Sequence, residues 1–226
     1  MSADSKHPVD TLPLRPDMRT NGVDIVDKLQ QRFRSRWVGV TFYRDGIPPI
    51  HATALPNGRF CEAVTHAYTG PVVVTRENLH CPGANHVFSW DDSLQTVIID
   101  KLHRDEGFSL GIARELVKEL PTVKGSLAAI GLNVVETPDV VISYLQPGRV
   151  MHLLRQYQRA FGKDLAVNLS SLVSVCGHVA LQSFLEQRIA LSFGCVYSRL
   201  YGSITRDRVA VGMPSELARG LLGHDG

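Results

Sequence analysis

Residues 60–84, FCEAVTHAYTGPVVVTRENLHCPGA, decide how the chain is read. They run in the order cysteine, short helix, apolar strand, loop, cysteine. Residues 175–199, VCGHVALQSFLEQRIALSFGCVYSR, repeat that order of parts. Nineteen residues lie between Cys61 and Cys81 and eighteen between Cys176 and Cys195, and these four are all the cysteines the chain has. The expectation is two pseudo-repeated Cys-helix-strand-Cys units that bring four thiols to one point.

Working outward, Gly22–Arg36 has a helical period, with Val23, Ile25, Val26, Leu29 and Phe33 on one side. Trp37–Tyr43 is a strand candidate, stopped by the turn chemistry of Arg44-Asp-Gly-Ile-Pro-Pro49. In the first cysteine unit Glu62–Tyr68 is short and helical, and Val72–Thr75 is a β-branched strand. Residues 85–110 read as a loop with one short element. Leu110–Leu120 is an amphipathic helix stopped by Pro121, Ser126–Val134 is extended, and Val140–Tyr144 is a core strand. Pro147–Phe161 is a helix with proline near its start and Gly162 at its end. Leu165–Leu169 is strand-like. The second cysteine unit follows, with a helix over Gly177–Gln187 and a strand over Ile189–Phe193. Arg208–Met213 is a closing strand and Pro214–Leu222 a last helix.

Irregularly alternating strands and helices predict an α/β (α+β) body, a mixed central sheet flanked by helices. Residues 1–21, with Pro8, Pro13 and Pro16 among polar neighbours, read as an extended N-terminal arm. Residues 22–226 read as a single α/β domain built from two related halves, about 22–135 and 136–226.

Composition narrows the function. With 226 residues and 44% hydrophobic content the chain can bury a sizeable core. A net charge of +2, without a basic run interleaved with aromatics, gives no sign of nucleic-acid binding. No apolar run reaches the length of a membrane span, and the first residues lack the apolar stretch of a secretory signal. The expected compartment is the cytoplasm, where disulfides are rare.

Cys61 and Cys176 each stand where a helix begins, and exposed backbone N–H groups there favour a thiolate. Cys81-Pro-Gly and Gly194-Cys195 stand in turns that let backbone approach closely. Against this, a buried cysteine behaves as a small hydrophobe, and two disulfides are a further alternative. Structural zinc uses close knuckles such as C-x₂₋₄-C, and none occurs here. An iron–sulfur core tolerates more distant ligands and ranks above zinc on that ground.

Arg59, Arg76 and Arg199 lie near cysteines and would offset a negative cluster or bind an anion. His80, His86 and His178 are similarly placed as acid–base groups, donors to sulfur or a replacement ligand, with ordinary surface or core histidine as the plain alternative. Glu62, directly after Cys61, is either a first-turn helix acid or a general base. Tyr197 and Ser198 beside Arg199 would complete a polar pocket. There is no G-x-G-x-x-G after a strand, Walker loop, H-E-x-x-H or G-x-S-x-G, so nucleotide-driven and hydrolase chemistry get no support.

The motifs R-F-C-E-A-V, V-T-R-E-N-L-H-C-P-G-A, P-D-V-V-I-S-Y-L-Q-P-G-R-V-M-H-L-L-R-Q-Y, S-V-C-G-H-V-A, L-S-F-G-C-V-Y-S-R and V-A-V-G-M-P-S-E-L resemble, in this order and across about residues 25–222, the domain-of-unknown-function family 169. The resemblance implies that Cys61, Cys81, Cys176 and Cys195 belong to one shared site. It supplies no reaction. Gly177-His178 after Cys176 departs from the acidic or serine residues expected there, which leaves His178 without a carried-over role.

The resulting expectation is an iron–sulfur protein whose four cysteines hold a [4Fe-4S] cluster. It would act as an oxidoreductase or lyase on a small anionic substrate, or pass electrons to a transfer partner. Arg59, Glu62, His178 and Arg199 are the candidate catalytic residues, and a homo-oligomer is left open. The alternatives are a zinc-bound structural or regulatory module and a metal-free binding protein or thiol enzyme with Cys61 or Cys176 as its thiolate.

Overall fold

A computed structural model describes residues 22–48, 54–167 and 169–223, so the expected N-terminal arm lies outside the described residues. Its organising element is strand β1 (Trp37–Tyr43). Alternation along β1 sends Val38, Val40 and Phe42 into one core and Trp37 into another on the opposite face. The C-terminal half of β1 pairs with β3 (Ala129–Leu132), Val40 facing Leu132. Its N-terminal half pairs with β4 (Val140–Leu145), Trp37 facing Ser143. Where each partner stops, a side chain takes over the ladder. The Asp139 carboxylate accepts from the Phe42 N–H at 2.7 Å, and the Asn133 amide oxygen accepts from the Gly39 N–H at 2.8 Å.

With β2 (Val72–Val74), β5 (Ala190–Ser192) and β6 (Val209–Pro214), the sheet has six strands in the order β2-β3-β1-β4-β6-β5. The first three strands come from residues before 135 and the last three from residues after it. Every strand pair is antiparallel, where a mixed sheet was expected. Residues 165–169, expected to be a strand, contribute one isolated parallel bridge, Leu169 to Leu191. Leu165 and Val167 instead pack onto the helices of the second core.

That second core is covered by α1 (Gly22–Phe33), α6 (Pro147–Phe161) and α9 (Ser215–Gly223). Ile25, Val26, Leu29 and Phe33 of α1, Leu153 and Tyr157 of α6, and Ala218 and Leu221 of α9 close over Trp37, Val141, Val211 and Met213. Each fully buried aliphatic or aromatic side chain contributes about 1.5–3 kcal/mol. Helix α6 stops at Gly162, whose φ of 64° is the left-handed conformation that glycine adopts without steric penalty.

The first face carries α2 (Phe60–His66), α3 (Pro82–Val87) and a nine-residue π-helix, Ser174–Gln182, continued by α7 (Ser183–Glu186). All four elements bury residues in the same core as Val38, Val40, Ile142 and Tyr144. Between β2 and β3, α4 (Leu94–Arg104) and α5 (Leu110–Lys118) form a satellite cluster around Ile98, Leu102, Ala113 and Val117. Residues 85–110 therefore hold all of α4 and the second half of α3 where a loop with one short element was expected. After β5, α8 (Val196–Tyr201) replaces what the sequence suggested was only a turn. The α/β class and the helices flanking the sheet stand. The pseudo-repeated cysteine units do not appear as matched pieces, because the first cysteine of one sits in an ordinary α-helix and that of the other in a π-helix.

Candidate functional site

The cysteines enter the first face from four elements. Cys61 is the second residue of α2, Cys81 immediately precedes α3, Cys176 lies in the first turn of the π-helix, and Cys195 immediately precedes α8. Cys61, Cys81 and Cys176 are buried, Cys195 is half-buried, and all four are free thiols.

On that face the elements carrying them pack together, α2 with α8 and α3 with the π-helix. Helix α2 lies against α8, and the Cys61 thiol donates to the Tyr197 carbonyl at 3.8 Å, two residues beyond Cys195. The approach is close because Gly202, just after α8, has no side chain; a Cβ there would stand 2.7 Å from that of Cys61. Helix α3 lies against the π-helix, and Val173 packs over both Gly83 and Gly177, whose added Cβ atoms would meet it at 3.0 and 3.1 Å. The Cys176 thiol donates to the Val173 carbonyl at 3.9 Å.

The electrostatics follow this pairing. Burial is the main reason the Cys61 thiol titrates far above its ordinary range. Negative charge on Cys195 and then on Cys81 would raise it further. Cys176 is pushed up by burial first, then by Cys81, Cys195 and Cys61. Tyr144 of β4 is buried beneath the thiols, and its hydroxyl donates to the Cys61 carbonyl at 3.3 Å. Burial, with Cys61 the next cause, holds its phenol well above the usual range. Tyr68, also burial-dominated, is raised to about 12.

This grouping overturns the iron–sulfur expectation. Among the described residues no three of the His, Cys, Asp and Glu side chains are arranged so that they could hold a metal ion. The physical reason lies in the thiols. The Cys61 thiol is turned to the Tyr197 carbonyl and the Cys176 thiol to the Val173 carbonyl, whereas metal-ligating sulfurs aim at a common centre. A zinc module meets the same obstacle.

The other candidates are spread over several jobs. The Glu62 carboxylate accepts from the backbone and side-chain N–H groups of Asn57, at 3.2 and 2.9 Å, and from the Arg59 backbone N–H at 3.3 Å. It thus ties down the turn leading into α2. Arg199 reaches the carbonyls of Ile204 and Thr205 at 3.3 and 3.1 Å, and that of Phe193, so it pins the loops around α8. Ser198 closes the start of α8, with its hydroxyl accepting from the Cys195 N–H at 2.7 Å. Arg59 is beside the Cys61–Cys195 pair, with its guanidinium 4.4 Å from the Tyr197 ring centre and 5.5 Å from that of Tyr201. His178 is buried in the π-helix. His86, buried in α3, has no hydrogen-bond partner at Nδ1, and burial lowers its pKa, with Asp92 opposing. His80 and Arg76 are exposed.

Three features of the site have no counterpart in the sequence reading. Tyr144 lies in a strand expected only to be core, and its phenol after Ser143 in an otherwise apolar run was the available signal. The π-helix leaves no periodic trace. Lys101 of α4 stands 5.0 Å from the Tyr197 ring centre, although the two are far apart in the sequence.

Among the described residues no helix is long and apolar enough to cross a membrane. A family described as uncharacterised ArCR matches residues 29–223. No curated protein and no solved structure matches the chain.

Proposed function

We propose that the chain, which belongs to the domain-of-unknown-function family 169, acts through its thiols as a dithiol–disulfide redox protein. Cys195 is the entry thiol and Cys61 the resolving one. The observation that carries this reading is the contact of the Cys61 sulfur with the backbone of α8, two residues from Cys195. Exposure sets the order. Cys195 is the only half-buried thiol of the four, whereas Cys61 and Cys176, first considered as the reactive groups, are enclosed and protonated.

The step balances as a thiol–disulfide exchange. The Cys195 sulfur attacks one sulfur of a low-molecular-weight disulfide. The S–S bond breaks, and the leaving sulfur takes the Cys195 proton. Cys61 then attacks the Cys195 sulfur and gives its proton to the second departing sulfur. The substrate leaves as two thiols, and two electrons have passed from the chain, which now holds a Cys61–Cys195 disulfide. An external dithiol reductant returns the chain to its starting state. Tyr144, bonded to the Cys61 carbonyl, positions the resolving residue.

Peptide mapping after equilibration with oxidised and reduced dithiothreitol tests this. The expected result is one Cys61–Cys195 disulfide, with Cys195 the first thiol alkylated in the reduced protein. Cys61→Ser should accumulate a mixed disulfide on Cys195. Four free thiols under oxidising conditions, Cys61 alkylating ahead of Cys195, or an iron- or zinc-loaded protein as purified would each overturn it.

A further inference from the structure

A cluster built around Arg59 flanks the Cys61–Cys195 pair. Arg59 lies two places before Cys61, and Tyr197 lies two places after Cys195. The Arg59 guanidinium is 4.4 Å from the Tyr197 ring centre and 5.5 Å from that of Tyr201, and the two rings stack with their centres 6.2 Å apart. Resting on the thiol reading proposed above, we infer that Arg59 is a substrate-binding residue and that the disulfide exchanged at Cys195 carries a carboxylate close to its sulfur.

The state of the Arg59 charge supports this. Its Nε is buried without a hydrogen-bond partner, and its Nη1 reaches the His80 carbonyl only at 3.5 Å. Ring faces hold a guanidinium by its charge and flat shape, and they leave its N–H edge unspent. Two carboxylates of this region are committed elsewhere. That of Glu62 accepts from Asn57 and from the Arg59 backbone, and that of Asp105 pairs with Lys101 at 2.7 Å. Lys101, the second cation on the Tyr197 ring, is thereby balanced. Arg59 is held in place by aromatic contacts, so its charge is oriented without being neutralised.

That charge selects the substrate. A guanidinium with an unspent edge takes a carboxylate through two parallel N–H···O bonds. Because Arg59 and Tyr197 flank the thiols within the chain, a carboxylate bound there must be joined to the reacting sulfur by a short carbon chain. A disulfide with an ammonium in that position meets a like charge. The exchange keeps the course given above: the Cys195 sulfur bonds to one substrate sulfur, the S–S bond breaks, and the other sulfur leaves as a thiol with the Cys195 proton.

Oxidation of the reduced full chain, followed by alkylation and peptide mapping of Cys195, tests the selection. The probes are dithiodiglycolate, bis(2-hydroxyethyl) disulfide and cystamine, which carry carboxylates, hydroxyls and ammonium groups. Each rate is divided by that of the same disulfide with free 2-mercaptoethanol, which removes differences in intrinsic reactivity. On this scale dithiodiglycolate should react about tenfold faster than the hydroxyl compound, and cystamine more slowly. Arg59→Gln should bring the three rates close together, Arg59→Lys should keep part of the preference, and Lys101→Gln should keep most of it. Each preference is a ratio within one variant, so a general loss of reactivity cancels. Equal rates for the three disulfides, or a preference that survives Arg59→Gln, would overturn this inference and leave the thiol reading standing. No exchange with any of the three would overturn the thiol reading, and the inference with it.

Discussion

Two helices carry the first cysteine of each unit onto the same face of the sheet, and they do so differently. Helix α2 is seven residues of ordinary α-helix, opened by Glu62 closing back on Asn57 and Arg59. The π-helix is nine residues long and follows Val173, a β-branched residue held at φ 44° and ψ 48°. Left-handed backbone at a valine is a true outlier, and π-helix of this length is rare and concentrated at functional sites. The contrast shows that Cys61 is placed by local helix-start chemistry, whereas Cys176 is placed by tertiary packing strong enough to hold an unfavourable backbone.

That packing is most easily broken at Gly212 of β6. A Cβ there would stand 1.9 Å from the Val179 carbonyl oxygen, a backbone atom that cannot swing aside. Gly212→Ala should destabilise the protein by about 3 kcal/mol or more in urea melts, the upper range for overpacking. The corresponding insult to the other helix is Gly202→Ala, whose Cβ would meet the Cys61 Cβ and the Ser198 carbonyl oxygen, both at 2.7 Å. Because α8 is short and half-exposed it can shift outward, so a loss of about 1–3 kcal/mol is expected. If Gly202→Ala proved the more damaging of the two, the π-helix would not be the element that depends on close packing.

The two helices agree in one respect: each encloses a protonated thiol. Both thiols have folded-state pKa values raised above the ordinary 9.0. Above pH 9 the unfolded chain therefore releases these protons while the folded chain retains them, and stability falls as pH rises. Each enclosed thiol adds about 1.4 kcal/mol per pH unit to that decline. Stability at pH 8, 9 and 10 should drop steeply over the last interval, and Cys61→Ala and Cys176→Ala should each flatten it by about that amount. A slope that Cys176→Ala leaves unchanged would mean that the π-helix does not shield its thiol as α2 does.

This contrast also explains what could be read from the chain. The β-branched runs at residues 37–43, 72–75 and 140–144 have one structural solution, and their strands lie where the pattern put them. Cys61, Cys81 and Cys176 share the first core and Cys61 touches the helix that Cys195 precedes, but among the described residues they form no metal-holding group. Their use was not legible, because a thiol that ligates and a thiol that donates to a carbonyl look alike in sequence. Three-dimensional burial and the direction of each sulfur separate them. Helix α4 escaped notice because its buried positions, Ile98 and Leu102, are few among polar neighbours. The antiparallel sheet and the π-helix depend on contacts such as Gly212 with Val179, which are remote in sequence and leave no period.

The smallest effect concerns Val173 itself. Its backbone conformation is unfavourable by roughly 1–2 kcal/mol for a residue with a Cβ, while its side chain is buried against Gly83 and Gly177. Truncation to alanine removes the burial and keeps the strain. Truncation to glycine removes both. Glycine is ordinarily the less stable of the two, by about 0.5–1 kcal/mol inside regular structure. At this position the order should reverse, with Val173→Gly more stable than Val173→Ala by about 1 kcal/mol in urea melts. The same pair of changes at Val64 in α2 should keep the ordinary order, alanine above glycine. A reversal at both sites, or at neither, would remove backbone strain from the account of how Cys176 is held.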